Sequence, residues 1–238
     1  MSTIKLLSFD LDDTLWLSAP TIHKAEQAFY QHLQLHAPAL VAKFSPEALR
    51  EHRLKYLRAQ PNLRHHISQW RTDSLRQALI ESGYGKQSSE MASAAFAVFI
   101  AARQQVLLLE HCTTVLQELS KNYVLISLTN GNADLSNLAI SNHFSASYRA
   151  EELGAAKPAA PLFLEALKHA GCRPEEGIHI GDNINDDIFG AKEVGMHAIQ
   201  ARFAADAPPP HPLADQHFND WRELPALIRQ LEAKLKTS

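Results

Sequence analysis

An α/β fold is predicted here: a Rossmann-like parallel sheet with helices on both faces, plus an inserted all-α segment. Three observations carry it. From residue 112 onward, strand-like apolar runs alternate with segments of helical period. Those runs are almost unbroken in apolar character, as strands buried on both faces must be. Between the first run and the second, residues 18–105 show helical period and no strand.

Taken in order, Ile4-Lys5-Leu6-Leu7-Ser8-Phe9 is the first buried strand, and it runs into an acidic turn. The period then changes to helical, with Ile22, Ala25, Phe29 and Leu33 on one stripe and Ile67, Trp70, Ser74, Leu75 and Ala78 on another. Ser45-Pro46-Glu47 is a helix start, with a capping hydroxyl, proline at the first helical position and an acid in the first turn. Ser88-Ser89-Glu90 opens a further, alanine-rich helix that continues through Met91 to Val106. The insert is therefore expected to hold four helices. Beyond it the sequence predicts a helix over 112–121 and a strand Tyr123 to Leu128 ending at Thr129-Asn130-Gly131. A helix over 133–140, a short strand near Tyr148 and a helix over 159–170 follow. The strand Gly177 to Ile180 ends at Gly181-Asp182, and a helix over 187–194 and a strand Met196 to Ala201 come next. A last strand near Phe218 precedes a helix over 221–236, which Asp220 and Glu223 open as a variant capping box. The expected domains are 1–17 with 106–238 for the sheet and 18–105 for the helical insert.

Composition narrows the function. The 238 residues carry 23 Lys+Arg against 26 Asp+Glu, a formal charge of −3, with 45% apolar residues. Nucleic acid is not expected as a partner, because no basic face is clustered. Cys112 and Cys172 are too few and too far apart for a disulfide framework or a zinc knuckle. The longest apolar stretch, Met91 to Ala102, falls short of the ~18 residues of a bilayer span. Acids arrive too early for a secretory leader, so a cytoplasmic protein with no membrane partner is expected. Pro208-Pro209-Pro210 reads as a stiff surface loop.

In parallel sheets ligands bind beyond the carboxyl ends of the strands, and polar groups converge at that edge: Asp10 and Asp12, Thr129 and Asn130, and Asp182. Asp10 and Asp12 are two apart, so in extended chain they point to one side, ~7 Å apart. Crowded carboxylates persist only with a cation or a shared proton. With Asp182 and Asp187 added, the excess favours a hard oxygen-liganded dication, and Mg²⁺ fits. Lys157, stiffened by Pro158, can offset phosphate charge. Thr129 and Asn130 supply hydroxyl and amide donors, and the Gly131 N–H admits close phosphate approach. Such a set suits phosphoryl transfer. One carboxylate attacks phosphorus, and the other protonates the leaving oxygen and then activates water. Asp10, at the strand end, is the better nucleophile; Asp12 is the better acid/base.

Asp10-Leu11-Asp12-Asp13-Thr14-Leu15, Leu128-Thr129-Asn130-Gly131, Lys157-Pro158 and Gly181-Asp182-Asn183-Ile184-Asn185-Asp186-Asp187 resemble, in order, the four motifs of haloacid-dehalogenase-superfamily phosphatases. The resemblance spans almost the whole chain and makes 18–105 look like that family's helical cap. It implies Asp10 as nucleophile, Asp12 as acid/base, and Mg²⁺ on the carboxylates of Asp10 and Asp182 and the main-chain oxygen of Asp12. Asp187, or alternatively Asp186, is the outer acid. Within the superfamily, the Asp-Asp-Thr-Leu-Trp start and the segment His65-His66-Ile67-Ser68-Gln69-Trp70-Arg71 look like the YigB-type phosphatases. These act on flavin mononucleotide (FMN) and on the phosphorylated aminouracil precursor of riboflavin, so a small phosphorylated metabolite is the implied substrate. Dehalogenases proper carry no acid at the position of Asp12, which argues against carbon–halogen cleavage.

Other readings stand beside these. Trp16 and Trp70 are placed either against an aromatic substrate or in the core, Arg71 either on a ligand or in solvent. Adjacent His65 and His66 cannot share one helix face and fit solvated histidines. A phosphomutase on the same scaffold is the closest rival enzyme. A non-turnover phosphoacceptor of the receiver type is the rival from another class; the long insert and Asp12 speak against it.

Overall fold

Each long apolar run becomes a strand of one sheet in the computed structural model, which describes residues 4–237. The strands are β1 (Leu6–Phe9), β2 (Val124–Thr129), β3 (Ala146–Arg149), β4 (Gly177–Gly181), β5 (His197–Ala201) and β6 (Gln216–Phe218). All pair in parallel, in the order β3-β2-β1-β4-β5-β6. The order turns back at β1, so the crevice beyond the carboxyl ends of β1, β2 and β4 is the place where such a sheet binds ligands.

Side chains alternate across the strands and split the core into two layers. Leu7, Phe9, Leu125, Ile178 and Ile180 face one side, against Leu116 of α6 (Cys112–Leu119) and Ile228 of α10 (Leu224–Thr237). There Phe9 stacks on Trp221 at 6.1 Å between ring centroids. Leu6, Ile126 and Leu128 face the other side, against Phe163 of α8 (Pro161–Ala170) and Ala191 of α9 (Gly190–Glu193). Polar residues also sit in that second layer. Ser8 and His179 are register partners across β1 and β4, and both are fully buried.

By internal contacts the chain divides into two units, Met1–Ser18 with Val106–Ser238, and Ala19–Gln105. The second unit is helical. Its helices are α1 (Ser18–His36), α2 (Pro38–Lys43), α3 (Pro46–Ala59), α4 (Ile67–Glu81) and α5 (Ser88–Arg103), so five helices stand where four were expected. The extra one is α2, a single six-residue turn that Pro38 both separates from α1 and starts. Ser45 caps α3 as predicted, its Oγ accepting from the Ala48 N–H at 3.2 Å. Leu33, Leu40, Leu75, Ala78, Leu79, Ala92 and Ala95 form this unit's own core.

Two predicted helices of the sheet unit differ. Residues 133–140 form short 3-10 turns, Leu135–Asn137 and Ala139–His143. Asp134 accepts from the Ser136 N–H and from Asn137 Nδ2, and such local bonds compete with an α-helical ladder. The 187–194 helix begins earlier, as a π-helical turn Ile184–Phe189 that continues into α9. Asp220 does cap its helix start, accepting from the Arg222 N–H. Among the described residues no helix is long and apolar enough to cross a membrane.

Candidate active site

The carboxyl ends of β1 and β4 deliver Asp10 and Asp182 to one cleft of about 180 Å³, walled also by Asp12, Asp13, Lys157, Asn183, Asp186, Asp187 and Asn130, which follows Thr129 at the end of β2. Asp10, Asp182 and Asp187 each present an oxygen within 4.8 Å of the others. Lys157 is the cation at the centre. Its Nζ donates to Asp10 Oδ1 at 2.7 Å, to Asp187 Oδ1 at 2.6 Å and to the Leu128 carbonyl at 2.8 Å. An ammonium has three protons, so all of them are spent on the protein, and what Lys157 offers a substrate is its charge.

The electrostatics follow from this crowding. Burial and the neighbouring Asp187 and Asp182 push the Asp10 carboxyl well above its usual range against the pull of Lys157. Burial, with Asp187 and Asp13 nearby, pushes Asp182 up to about 7. Lys157 and His179 outweigh burial at Asp187 and hold it low, while Asp10 and Asp187 outweigh burial at Lys157 and hold it charged. One ammonium faces three carboxylates, and the remaining negative charge calls for another cation. All donors are hard oxygens, so the set fits Mg²⁺.

Asp187 is the more tightly placed of the two candidate outer acids. Its Oδ1 accepts hydrogen bonds from Lys157 and His179 Nε2 (3.0 Å), and its Oδ2 accepts one from the Asn183 N–H (2.9 Å). Gly181 makes room for it: a Cβ there would lie 2.2 Å from Asp187 Cγ. Asp186 instead accepts from Asn130 Nδ2 at 3.1 Å.

Sequence reasoning missed the partner behind Asp187. Burial keeps His179 neutral, and a carboxylate only accepts, so the proton is assigned to Nε2. Nδ1 then accepts from the Ser8 hydroxyl at 2.9 Å. The result is a buried chain, Ser8 to His179 to Asp187, ending on Lys157 and Asp10. The one available signal was two polar residues in otherwise apolar strands.

Other predicted residues have different partners. Asn130 is committed to the protein: its Nδ2 donates to the Lys157 carbonyl (2.9 Å) and to Asp186, and its Oδ1 accepts from the Lys157 N–H (2.8 Å). It ties the Lys157 backbone to the end of β2, and both the donor and the acceptor of its amide, expected to face a phosphate, are engaged by the protein. The Gly131 N–H donates to Thr129 Oγ1 at 2.9 Å, so the pair is bonded internally. Asp12 stands outside the carboxylate trio, and its Oδ1 accepts from Trp16 Nε1 at 2.8 Å. Trp16 is fully buried and holds Asp12; its ring is not a face for an aromatic substrate. Asp13, at φ 57°, accepts from the Ser18 N–H and hydroxyl and so secures the start of α1. His65, Trp70 and Arg71 belong to the helical unit and lie half-buried there. Burial pushes the Cys112 thiol up, consistent with an inert core residue.

A parallel sheet with acids and a lysine at its carboxyl edge and a helical insert after the first strand defines a hydrolase class. Residues 4–195 match the haloacid dehalogenase-like hydrolase family, and the chain belongs to it. It is 30% identical over 203 residues to the Escherichia coli K12 5-amino-6-(5-phospho-D-ribitylamino)uracil phosphatase YigB, covering 85% of each chain. It is 29% identical over 246 residues to phosphoserine phosphatase of Thermus thermophilus, covering 93% of this chain and 98% of that one. A crystal structure of a 2-haloacid dehalogenase from Pseudomonas syringae pv. Tomato superposes with a TM-score of 0.90 at 36% identity, covering 96% of this chain and all of the other.

Proposed function

We propose that this hydrolase cleaves small phosphomonoesters with Mg²⁺, by way of a phosphoryl group carried on Asp10. The observation that carries the reading is the unlike setting of two nearby carboxylates: Asp10 is bonded to an ammonium, Asp12 to an indole N–H. Paired acids with different environments divide into different roles. The ion-paired Asp10 attacks phosphorus, and the P–O bond to the leaving group breaks. Asp12 gives that oxygen its proton, then takes one from the water that attacks the same phosphorus and releases phosphate from Asp10. Lys157 steadies the Asp10 carboxylate and balances the charge of the phosphoryl oxygens. Mg²⁺, held by Asp10, Asp182 and the Asp12 main-chain oxygen with Asp187 behind them, would supply further compensation of phosphoryl charge. Thr129 and Gly131 would bind phosphoryl oxygens by giving up their mutual hydrogen bond, and Asn130 would act by fixing Lys157.

The cleft, at about 180 Å³, is smaller than the roughly 300–1,000 Å³ of sites that hold whole ligands. It suits the phosphate end, and the helical unit is assigned the choice of leaving group. Similarity to the YigB phosphatase makes FMN and the aminouracil phosphate the first substrates to try.

The likeness to a 2-haloacid dehalogenase supports a second reading, attack of Asp10 on a carbon that loses halide. Asp12 separates the two, since halide leaves without a proton whereas an alkoxide needs one. The test is phosphate release with Mg²⁺ from a panel of monophosphates including FMN, alongside halide release from 2-chloropropionate. Mg²⁺-dependent phosphate release that falls more than about 10³-fold in Asp10→Asn is expected. Halide release without phosphate release overturns the reading.

A further inference from the structure

We propose that the helical unit contains a binding site for an oxyanion, carboxylate or phosphate, borne on a flat unsaturated body. Arg53 and Arg71 receive the anion and Trp70 lies along the body. The site is a cavity of about 850 Å³ walled by α1, α3 and α4, a volume ordinary for a whole small ligand.

Three observations support it. Two guanidiniums share one carboxylate oxygen: Glu26 Oε1 lies 2.9 Å from Arg71 Nη1 and 3.1 Å from Arg53 Nη1. Both arginine side chains are only 14% exposed, and with Arg50 and Glu47 on the same wall three arginines face two carboxylates, so the cavity keeps a surplus positive charge that water screens weakly at the two buried guanidiniums. The Arg71 guanidinium is also pre-set. Its Cζ lies 4.2 Å from the centre of the Phe99 ring, while its Nε is buried with no hydrogen-bond partner. A planar fork held in one plane by this ring matches an oxyanion. Finally, the wall is aromatic and apolar beside the charge, with Trp70, Tyr30 and Leu54 lining the same space. Burial and the second arginine already push Arg71 down to about 10, the direction a bound anion would reverse.

Two sources share this chemistry: a leaving group that bears its own carboxylate or phosphate besides the phosphoryl group transferred, and a separate small ligand. The site itself stands apart from the phosphatase reading, because it is read from binding in a protein that does not turn over. Full-length Asp10→Asn protein in EDTA, where the acidic cleft repels a phosphate dianion, is titrated with FMN and followed by quenching of flavin emission. Saturable binding is expected, with riboflavin, which lacks the oxyanion, at least about tenfold weaker. Arg71→Gln and Arg53→Gln should each weaken FMN at least about tenfold. Trp70→Leu should weaken it too, and Trp70→Phe should keep it. If Arg71→Gln lowers Tm sharply, Arg53→Lys, which keeps the charge and loses the fork, carries the test. Failure of FMN to bind, equal binding of riboflavin, or indifference to both arginines overturns the site. In wild-type protein with Mg²⁺, a rise on Arg53→Gln in the KM for 4-carboxyphenyl phosphate, whose leaving group keeps a carboxylate on a flat ring, assigns the anion to the substrate. FMN binding that needs Arg53, beside a carboxyphenyl phosphate KM that ignores it, assigns the anion to a separate ligand.

Discussion

At the carboxyl edge of the sheet, three carboxylates surround one ammonium, and the groups that hold them are bonded at every turn, from Ser8 through His179 and Asp187 to Lys157. In the helical unit the balance is reversed: two guanidiniums share one carboxylate, and a guanidinium N–H is left over. The edge is small and rigid, the cavity several times larger. A crowded set of acids, two of them tied to one lysine, can select only a hard cation and the reaction it assists. A roomy cavity with surplus positive charge can select an anion while tolerating variation in what carries it. On the proposed reading, the two regions divide chemistry from choice of ligand.

The largest effect is expected where the edge loses its cation. Lys157→Met leaves Asp10, Asp182 and Asp187 without a counter-charge. Breaking one side of a buried pair costs about 3–5 kcal/mol, and turnover should fall about 10³-fold or more. Chemical denaturation should show the deficit shrinking as pH falls, since protonation relieves the carboxylates. A Lys157→Met protein as stable as wild type at pH 7 would mean the edge is not under the charge stress described here.

Behind that cation, His179→Phe removes the Nε2 donor from Asp187 while filling the space. Turnover is expected to drop roughly ten- to a hundredfold, with more Mg²⁺ needed for half-maximal rate. His179→Gln, which restores an N–H, should recover part of both. Equal losses in the two variants would make His179 a packing residue only. Trp16→Phe should act more weakly and selectively, because it loosens Asp12 alone. An alkyl phosphate, whose leaving oxygen needs a proton, should slow roughly tenfold, and p-nitrophenyl phosphate, whose leaving group does not, should slow less.

These two residues also mark where the sequence stopped being readable. The strands were legible because burial on both faces forces long apolar runs, Asp10, Asp12, Thr129 and Asp182 because they end or follow those runs, and Lys157 through its pairing with Pro158. Ser8 and His179 were not, since only the register of β1 against β4 makes residues 171 apart face each other. Trp16 suited a ligand face or the core equally until the turn after β1 aimed its indole N–H at Asp12. Asn130 reads as a donor from its type, and only the fold shows its amide already spent on Lys157 and Asp186. Residues 133–140 carry a helical stripe, but Asp134 offers the backbone nearer partners.

The gentlest test turns on the cavity's lone shared carboxylate. Arg53 and Arg71 outweigh burial and hold Glu26 below its ordinary 4.5. A depressed carboxyl contributes stability that is complete above the unfolded value and is lost as pH falls through the folded one. Wild-type protein should therefore lose this contribution below about pH 4.5, and Glu26→Gln should lack that step. At pH 7 the substitution should cost about 1–2 kcal/mol, between an exposed pair and a buried one because Glu26 is one-third exposed. Its two arginines are then left with no shared counter-ion, so inorganic phosphate should raise the Tm of Glu26→Gln more than that of wild type. The rise should shrink when Arg53→Gln is added. If phosphate stabilises both proteins alike, the surplus charge of the cavity is already neutralised, and the contrast between the two regions fails at its weaker end.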